Sequence, residues 1–485
     1  MRLKKLIEGL CLEYRGGKQE VEVTGLTSNS KHTFFGNLFI AKRGCQECYI
    51  EEAIANGAKV VVTEIYNPFL PEQIIQLLTK EIALVEKELA TRFYQEPSKQ
   101  LCVFGITGTN GKTTTSYLIK HLADGLGKPC GLVGTNEYLI YDRHLPSYMT
   151  TPDLLTNQKL LREMVKTECQ AAVLEVSSHG LDQGRVDLID FDVAIFTNLS
   201  QDHLDYHANM EEYFLAKSRL FSHLEPTKWA ILPFEDPLTK RLQELTQAQI
   251  LTYGLSVEAD LYATDLICSL RGTQATLHFK EETESLTFPL IGKFNLLNGL
   301  AAAGALLSQG FSLKECLCLL ATFGSVAGRL ESVENDLGVH IFVDYAHTPD
   351  ALENILHLLS SLKEEGKLIT VFGCGGQRDR TKRPMMGQVA ARFSDEIVIT
   401  SDNPRKEDPL SICEQIAKGC LDSAFEIELD RRKAIEKALE VASEGDIVLI
   451  AGKGHEGSQI FSHQTVAFDD KNVVQEVIRN LTPVH

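Results

Sequence analysis

The run Gly108-Thr109-Asn110-Gly111-Lys112-Thr113-Thr114 joins two glycines, a lysine and four side-chain donors between the apolar stretch LCVFGIT and a helical stretch from Thr113 to Leu126. A loop of this kind turns backbone N–H groups and a helix N-terminus toward phosphate oxygens. Lys112 would neutralise the β- and γ-phosphates, and Thr113 would reach Mg²⁺. A strict phosphate-loop pattern has one more glycine, at the position held here by Ile106. The bland alternative is an ordinary strand–turn–helix corner.

Further reactive side chains stand where apolar runs end. Glu175 closes AAVLEV and is followed by Ser177, Ser178 and His179. Asn198, Asp202, His203 and His207 follow VAIFTN. A carboxylate and an imidazole beside nucleotide phosphates suit a Mg²⁺ site. Asp344, His347 and Asp350 lie in VDYAHTPD, and Asn403-Pro404-Arg405 follows EIVITSD. Asn-Pro is first of all a turn, but Arg405 could offer its planar fork to a carboxylate. Arg378, Asp379, Arg380, Lys382 and Arg383 form a charged, mostly basic cluster, either a solvated loop or an anion-binding rim. Gly452-Lys453-Gly454-His455-Glu456 is another glycine-rich exit. Lys217, in the helical stretch YFLAKSRLF, reads from the residues alone as a solvated surface lysine.

Strands must place these groups. LCVFGIT, AAVLEV and VAIFTN are apolar throughout and alternate with helical stretches, which predicts a mainly parallel sheet. HIFVDYAH, LITVFGCGG, EIVITSDNP and IVLIAGKGH repeat that logic, with helices predicted near 350–364, 384–394, 409–421 and 432–443. This is a second, doubly wound α/β region, in which ligands sit at the carboxyl ends of strands. Residues 51–65 read as a helix, a Gly57 stop and a β-branched strand, and 95–98 as a linker. At ~150 residues per domain, 485 residues suggest about three. The fold expected is α/β, with a small mixed N-terminal domain (1–98), a central mainly parallel sheet domain carrying the phosphate loop (99–329), and a C-terminal Rossmann-like doubly wound domain (330–485).

The net charge of −18 argues against a nucleic-acid partner and against docking on an anionic membrane. MRLKKLIEGLCLEYR is too short an apolar stretch for a signal peptide and is broken by Glu8 and Glu13. No run reaches the ~18 apolar residues of a membrane span. The 12 cysteines are scattered and mostly within apolar runs, as in a reduced cytoplasmic chain. Cys45 and Cys48 form one CxxC without the second pair a zinc site needs. From the residues alone, a nucleotide-driven enzyme with an anionic substrate emerges.

The chain resembles the Mur ligase family along nearly its whole length. The resemblance rests on GITGTNGKTTT (105–115), TTPD (150–153), LEVSSHGLDQGRV (174–186), TNLSQDHLDYH (197–207), FNLLNGLAA (294–302), GRLE (328–331), VDYAHTPDAL (343–352), FGCGGQRDRTKRP (372–384), SDNPRKEDP (401–409) and AGKGHE (451–456), in family order. It implies a cytoplasmic, monomeric, ATP-dependent amide ligase of peptidoglycan precursor synthesis. Such an enzyme adds meso-2,6-diaminopimelate to UDP-N-acetylmuramoyl-L-alanyl-D-glutamate through an acyl phosphate. The N-terminal domain would hold the uridine nucleotide, the central one ATP and the C-terminal one the amino acid.

By the same resemblance, Ser30, Thr150, Thr151, Ser177, Gln183 and Arg185 contact the UDP-sugar peptide. Gly108 to Thr114, with Asn298, Arg329 and Asp344, serve ATP. Thr113, Glu175 and His203 hold Mg²⁺, and Lys112, Glu175, His203 and Lys217 form the catalytic set. Lys217 matches a lysine that relatives carry as a carbamate, which reverses its reading as a surface residue. Arg378, Asn403, Arg405, Gly452 and Glu456 receive diaminopimelate, since the Asn-Pro-Arg form resembles the diaminopimelate-adding branch. A guanidinium left unpaired by lysine would cost a few kcal/mol. The chain departs from the family at Gln377, Ala327, Gly457-Ser458 and CQECYI (45–50). Two other readings stay open: a folylpolyglutamate synthase-like ligase, and a P-loop-type NTPase without ligase activity.

Overall fold

The computed structural model describes residues 1–17, 20–42, 44–204, 206–420 and 423–481. Two compact units emerge. The first comprises Met1–Thr107, Gly127–Ala194 and Ala216–Lys228, and the second Gly108–Leu126, Ile195–Leu215 and Trp229–His485. Among the described residues no helix is long and apolar enough to cross a membrane.

In the first unit the N-terminal part forms a five-stranded sheet in the order Glu13–Arg15, Ile75–Leu78, Val60–Thr63, Asn37–Ile40, Gly25–Thr27. Glu13–Arg15 pairs antiparallel and the rest are parallel. Valines at 60, 61 and 62 are fully buried, as strands covered on both faces require. The predicted helix–Gly57–strand passage is found as helix Glu47–Ala55, Gly57 at φ +108°, and strand Val60–Thr63. The same unit holds Ala171–Glu175 between parallel neighbours Cys102–Thr107 and Cys130–Val133. The sheet continues antiparallel through Glu137–Ile140 and Arg143–Pro146.

In the second unit, Trp229–Pro233, Gln249–Gly254 and Leu261–Ser269 run parallel. Gly272–Phe279 and Glu282–Phe288 then fold back as an antiparallel meander. The C-terminal sheet has six strands, ordered Glu331–Val333, His340–Asp344, Ile447–Ala451, Leu368–Phe372, Glu396–Ile399, Phe425–Ile427. Only its first strand is antiparallel.

Helices cover both faces of that sheet. Ile355, Leu356, Leu359, Met386 and Ile412 pack on one side, and Ala434, Ile435, Val474 and Val477 on the other. This is the doubly wound arrangement, and the four strands and four helices predicted there are all present. The last helix, Asp470–Leu481, is fastened by a buried ion pair in which Arg431 Nε and Nη2 each donate to the Asp470 carboxylate at 2.7 Å. All twelve cysteines are free thiols.

Candidate functional site

The phosphate-type loop leaves Cys102–Thr107 and enters helix Lys112–Gly125. Gly108 (φ +151°) and Gly111 (φ +85°) permit its turn. A Cβ on Gly108 would stand 1.9 Å from Thr197 Oγ1, and one on Gly111 would stand 2.4 Å from Asn298 Oδ1. Neither position admits a side chain without displacing a neighbour. Lys112 Nζ donates to the carbonyls of Gly108 and Thr109, both at 2.8 Å, and so folds over its own loop.

Side chains from later segments brace the loop. Asn198 Oδ1 accepts from Asn110 N at 3.0 Å, while Asn198 Nδ2 and Thr197 Oγ1 donate to Asn110 O at 3.1 and 2.6 Å. Thr109 Oγ1 accepts from Ser200 N at 3.0 Å. Asp350 Oδ2 accepts from both Asn110 Nδ2 (3.0 Å) and Ser200 Oγ (2.9 Å). Arg329 Nη2 donates to Thr113 Oγ1 at 3.1 Å, and its guanidinium lies 4.7 Å from the Tyr345 ring centroid. Asp344 is buried and takes N–H groups from Leu330 (2.5 Å) and Ala346 (2.6 Å). Burial pushes its carboxyl up to about 6, against the opposing pull of Arg329 and the two N–H groups. The residues assigned to ATP are therefore gathered around one loop, apart from Thr114, which is buried in the helix's first turn. Asn198, Ser200 and Asp350 join them, although their positions after strand ends were the only sign of it in the sequence.

A second cluster belongs to the first unit. Thr151 Oγ1 donates to Glu175 O (2.8 Å) and Ser177 Oγ (3.1 Å), and accepts from Ser177 N (2.9 Å). Arg185 Nη1 donates to Thr151 O at 2.8 Å, and its Nη2 donates to Gln183 Oε1 at 2.6 Å. Thr150 and Thr135 hydroxyls lie 3.0 Å apart. Five of the six residues assigned to the UDP-sugar peptide thus share one polar network. Ser30 lies in a separate short turn, Ser30–His32, where its hydroxyl donates to Glu52 at 2.5 Å. The ring of His32 in that turn meets Tyr148 at 5.4 Å, just ahead of Thr150.

Glu175 is fully buried, with Oε1 accepting from Thr135 N and Oε2 from Thr135 Oγ1, both at 2.9 Å. Thr135 was not singled out in the sequence. His203 belongs to the second unit, with φ +55° and its imidazole 3.5 Å from Asp202. The carboxylate of Glu175 and the hydroxyl of Thr113 are hard oxygen donors, the kind Mg²⁺ prefers. Lys217, in helix Met210–Ser222, is only 2 % exposed. Its reading as a solvated surface lysine is therefore wrong: its side chain is buried, as are those of Tyr213, Phe214 and Phe221 on the same helix.

The C-terminal exits carry a third cluster. Asn403 Nδ2 donates to Glu456 Oε2 at 2.7 Å, and Asn403 Oδ1 accepts from Ile460 N at 2.9 Å. Arg405, at φ +53°, donates through Nη1 to the carbonyls of Gly376 (2.9 Å) and Asn403 (3.4 Å), which fixes its guanidinium beside Asn403. Gly452 stands at φ +115°, where a Cβ would meet Asp402 Oδ2 at 2.8 Å. The charged 378–383 cluster divides. Arg383 is fully buried, bonded to Glu407, Gln415 and the Gly375 carbonyl, so it belongs to the core and not to a rim. Arg380 pairs with Glu407 at 3.2 Å, and Lys382 donates to His347 O at 2.7 Å. Arg378 is exposed beside Gly375.

Residues 106–306 match the Mur ligase middle domain, and residues 328–454 match the Mur ligase glutamate ligase domain. The UDP-N-acetylmuramoyl-L-alanyl-D-glutamate–2,6-diaminopimelate ligase of Chlamydia caviae is 46% identical over 483 residues, covering 99% of each chain. The ligase of the same name from Halalkalibacterium halodurans is 41% identical, covering 94% of this chain and 95% of its own. A solved structure bearing that name superposes with a TM-score of 0.68 at 34% identity, over 99% of both chains.

Proposed function

The chain belongs to the Mur ligase family, and we propose that it joins meso-2,6-diaminopimelate to UDP-N-acetylmuramoyl-L-alanyl-D-glutamate at the expense of ATP. The single observation that carries this reading is the pairing of the phosphate loop with the Asn403–Arg405 turn at a second set of strand ends. One set activates a carboxylate, and the other receives an amino acid that carries a distal carboxylate.

In this reading the γ-phosphoryl of ATP passes to the terminal D-glutamate carboxylate. The O–P bond to ADP breaks and an acyl phosphate forms. Lys112 and the loop N–H groups stabilise the charge that spreads over the transferring oxygens. The free amine of diaminopimelate then attacks the acyl carbon. It loses a proton, and inorganic phosphate leaves as the amide forms.

Arg329 and Asp344 hold the nucleotide, and Asn298 supports the loop behind Gly111. Thr150, Thr151, Ser177, Gln183 and Arg185 hold the UDP-sugar peptide, joined by Ser30. Arg378, Asn403, Arg405, Gly452 and Glu456 receive diaminopimelate. Mg²⁺ is the cation this chemistry calls for, with Thr113, Glu175 and His203 as its ligands, and when bound it supplies charge neutralisation to the phosphates. A carbamate on Lys217 would turn a buried cation into an anion suited to the same chemistry. The three domains run 1–98, 99–329 and 330–485, with the UDP-sugar peptide and ATP each held by residues from two of them, and the enzyme works as a cytoplasmic monomer on small molecules.

The test is phosphate release from ATP in the presence of the UDP-dipeptide, with meso-diaminopimelate and L-lysine compared at equal concentration. Release with diaminopimelate alone supports the reading. Release with lysine would keep a ligase and remove the amino-acid assignment. Silence with both would remove the substrate assignment altogether.

A further inference from the structure

Lys453 sits in the glycine-rich exit of strand Ile447–Ala451 and has no exposed side-chain surface. Its ammonium donates to Asn403 Oδ1 at 3.2 Å and to Glu456 Oε2 at 3.0 Å. Asn403 Nδ2 donates to that same Glu456 oxygen at 2.7 Å. The three side chains close a hydrogen-bonded triangle, and Ile460 N adds a fourth bond to Asn403 Oδ1.

Two consequences follow from the geometry. The Asn403 amide has a single orientation, because its oxygen meets two donors and its nitrogen meets a carboxylate. The charge of Glu456 is offset by the Lys453 ammonium, and Arg405 and Arg378 both lie beside Gly375. A buried ammonium in such a network is costly to remove, since the buried Asn403 oxygen loses a bond that water cannot readily replace. Lys453 itself cannot touch a ligand.

We infer that Lys453 is a positioning residue for amino-acid specificity. Through Asn403 and Glu456 it presets the subsite for an amino acid whose far end carries both an ammonium and a carboxylate. This inference rests on the proposed function, and the experiment separates the two.

Lys453→Met removes both charge and donor, while Lys453→Gln keeps a donor and removes the charge. Steady-state kinetics would vary each substrate in turn on full-length enzyme. The expected result for Lys453→Met is a rise in KM for diaminopimelate of roughly 10- to 100-fold, the size of one lost charged hydrogen bond. KM for ATP and for the UDP-dipeptide should stay within about twofold, since this triangle touches neither. Lys453→Gln should recover part of the loss, and preference for diaminopimelate over L-lysine should fall in both variants. Equal changes in all three KM values, or none, would overturn the inference. Wild type that ignores diaminopimelate would instead overturn the function on which it rests. If the variants do not fold, ¹⁵N-lysine NMR of the wild type decides. One slowly exchanging ammonium signal should shift on adding diaminopimelate and stay fixed on adding ADP, and a spectrum unmoved by diaminopimelate would count against the role.

Discussion

Lys112 bonds to the carbonyls of its own loop at 2.8 Å, so its ammonium is already held over that loop. Its removal deletes a charge that matters only when phosphoryl oxygens are present. Lys112→Ala should keep its melting temperature within a few degrees and lose acyl-phosphate formation by about 10³-fold or more. Trapping of the acyl phosphate by hydroxylamine would measure this, and near-normal trapping would count heavily against the scheme. Arg405 acts on selectivity. Its guanidinium is held by Gly376 O and Asn403 O, so lysine would bind at the cost of an unpaired cation. Arg405→Ala should raise KM for diaminopimelate by roughly 10- to 100-fold and leave lysine use unchanged or improved. Asp344 carries a pH signature. Its folded carboxyl is raised from 3.8 to about 6 by burial, so folding favours its protonated form. Its contribution to stability is then full below pH ~4 and is lost as pH rises through about 6, a change of about 3 kcal/mol. Urea melts of wild type and Asp344→Asn should therefore diverge in the variant's favour by that amount between acid and neutral pH. A constant offset across that range would contradict the assignment.

The helix Lys112–Gly125 starts where it does because Gly111 takes a left-handed φ of +85° and leaves room for Asn298 on the facing helix Lys293–Leu307. Gly111→Ala adds a methyl 2.4 Å from Asn298 Oδ1 and strains the turn. The expected cost is about 1–3 kcal/mol of stability. Nucleotide binding should be lost well before the fold, and calorimetry alongside ADP titration would show the order. Elements of this kind were legible in the chain. Runs apolar on both faces announced the parallel strands, and glycine–polar exits announced the loops at their ends. The antiparallel strands 261–288 escaped notice although their burial alternates residue by residue. Their inward positions include Thr273 and Ala275 as well as Leu277, which blurs an apolar period of two. The burial of Lys217 and Arg383 was illegible for another reason. Each lies on a helix with charged neighbours, and only tertiary packing decides which face of the helix is covered. The bonding roles of Thr135, Asp350 and Lys453 were illegible because they are hydrogen bonds to residues 40, 240 and 50 positions away in the chain.

At the scale of the whole molecule, the chain carries a net charge of −18, yet two of the substrates proposed for it, ATP and the UDP-dipeptide, are anions. The two facts oppose each other at different distances. Local cations such as Lys112, Arg185, Arg329 and Arg405 act over a few ångström, where bound ligands are poorly screened. The net charge acts over the Debye length, about 30 Å at 10 mM salt and about 8 Å at 150 mM. At low salt an approaching UDP-dipeptide meets the repulsion of the whole chain before it reaches the cations that hold it. Moderate salt should remove the repulsion first. We therefore expect kcat/KM for the UDP-dipeptide, at fixed free Mg²⁺, to rise by about two- to tenfold from 10 to 150 mM KCl and to fall at higher salt as the short-range pairs weaken. Where the cations dominate the approach as well, the rate would fall monotonically from the lowest salt. That result would mean that the acidic surface faces away from the entrance and that the −18 serves solubility alone.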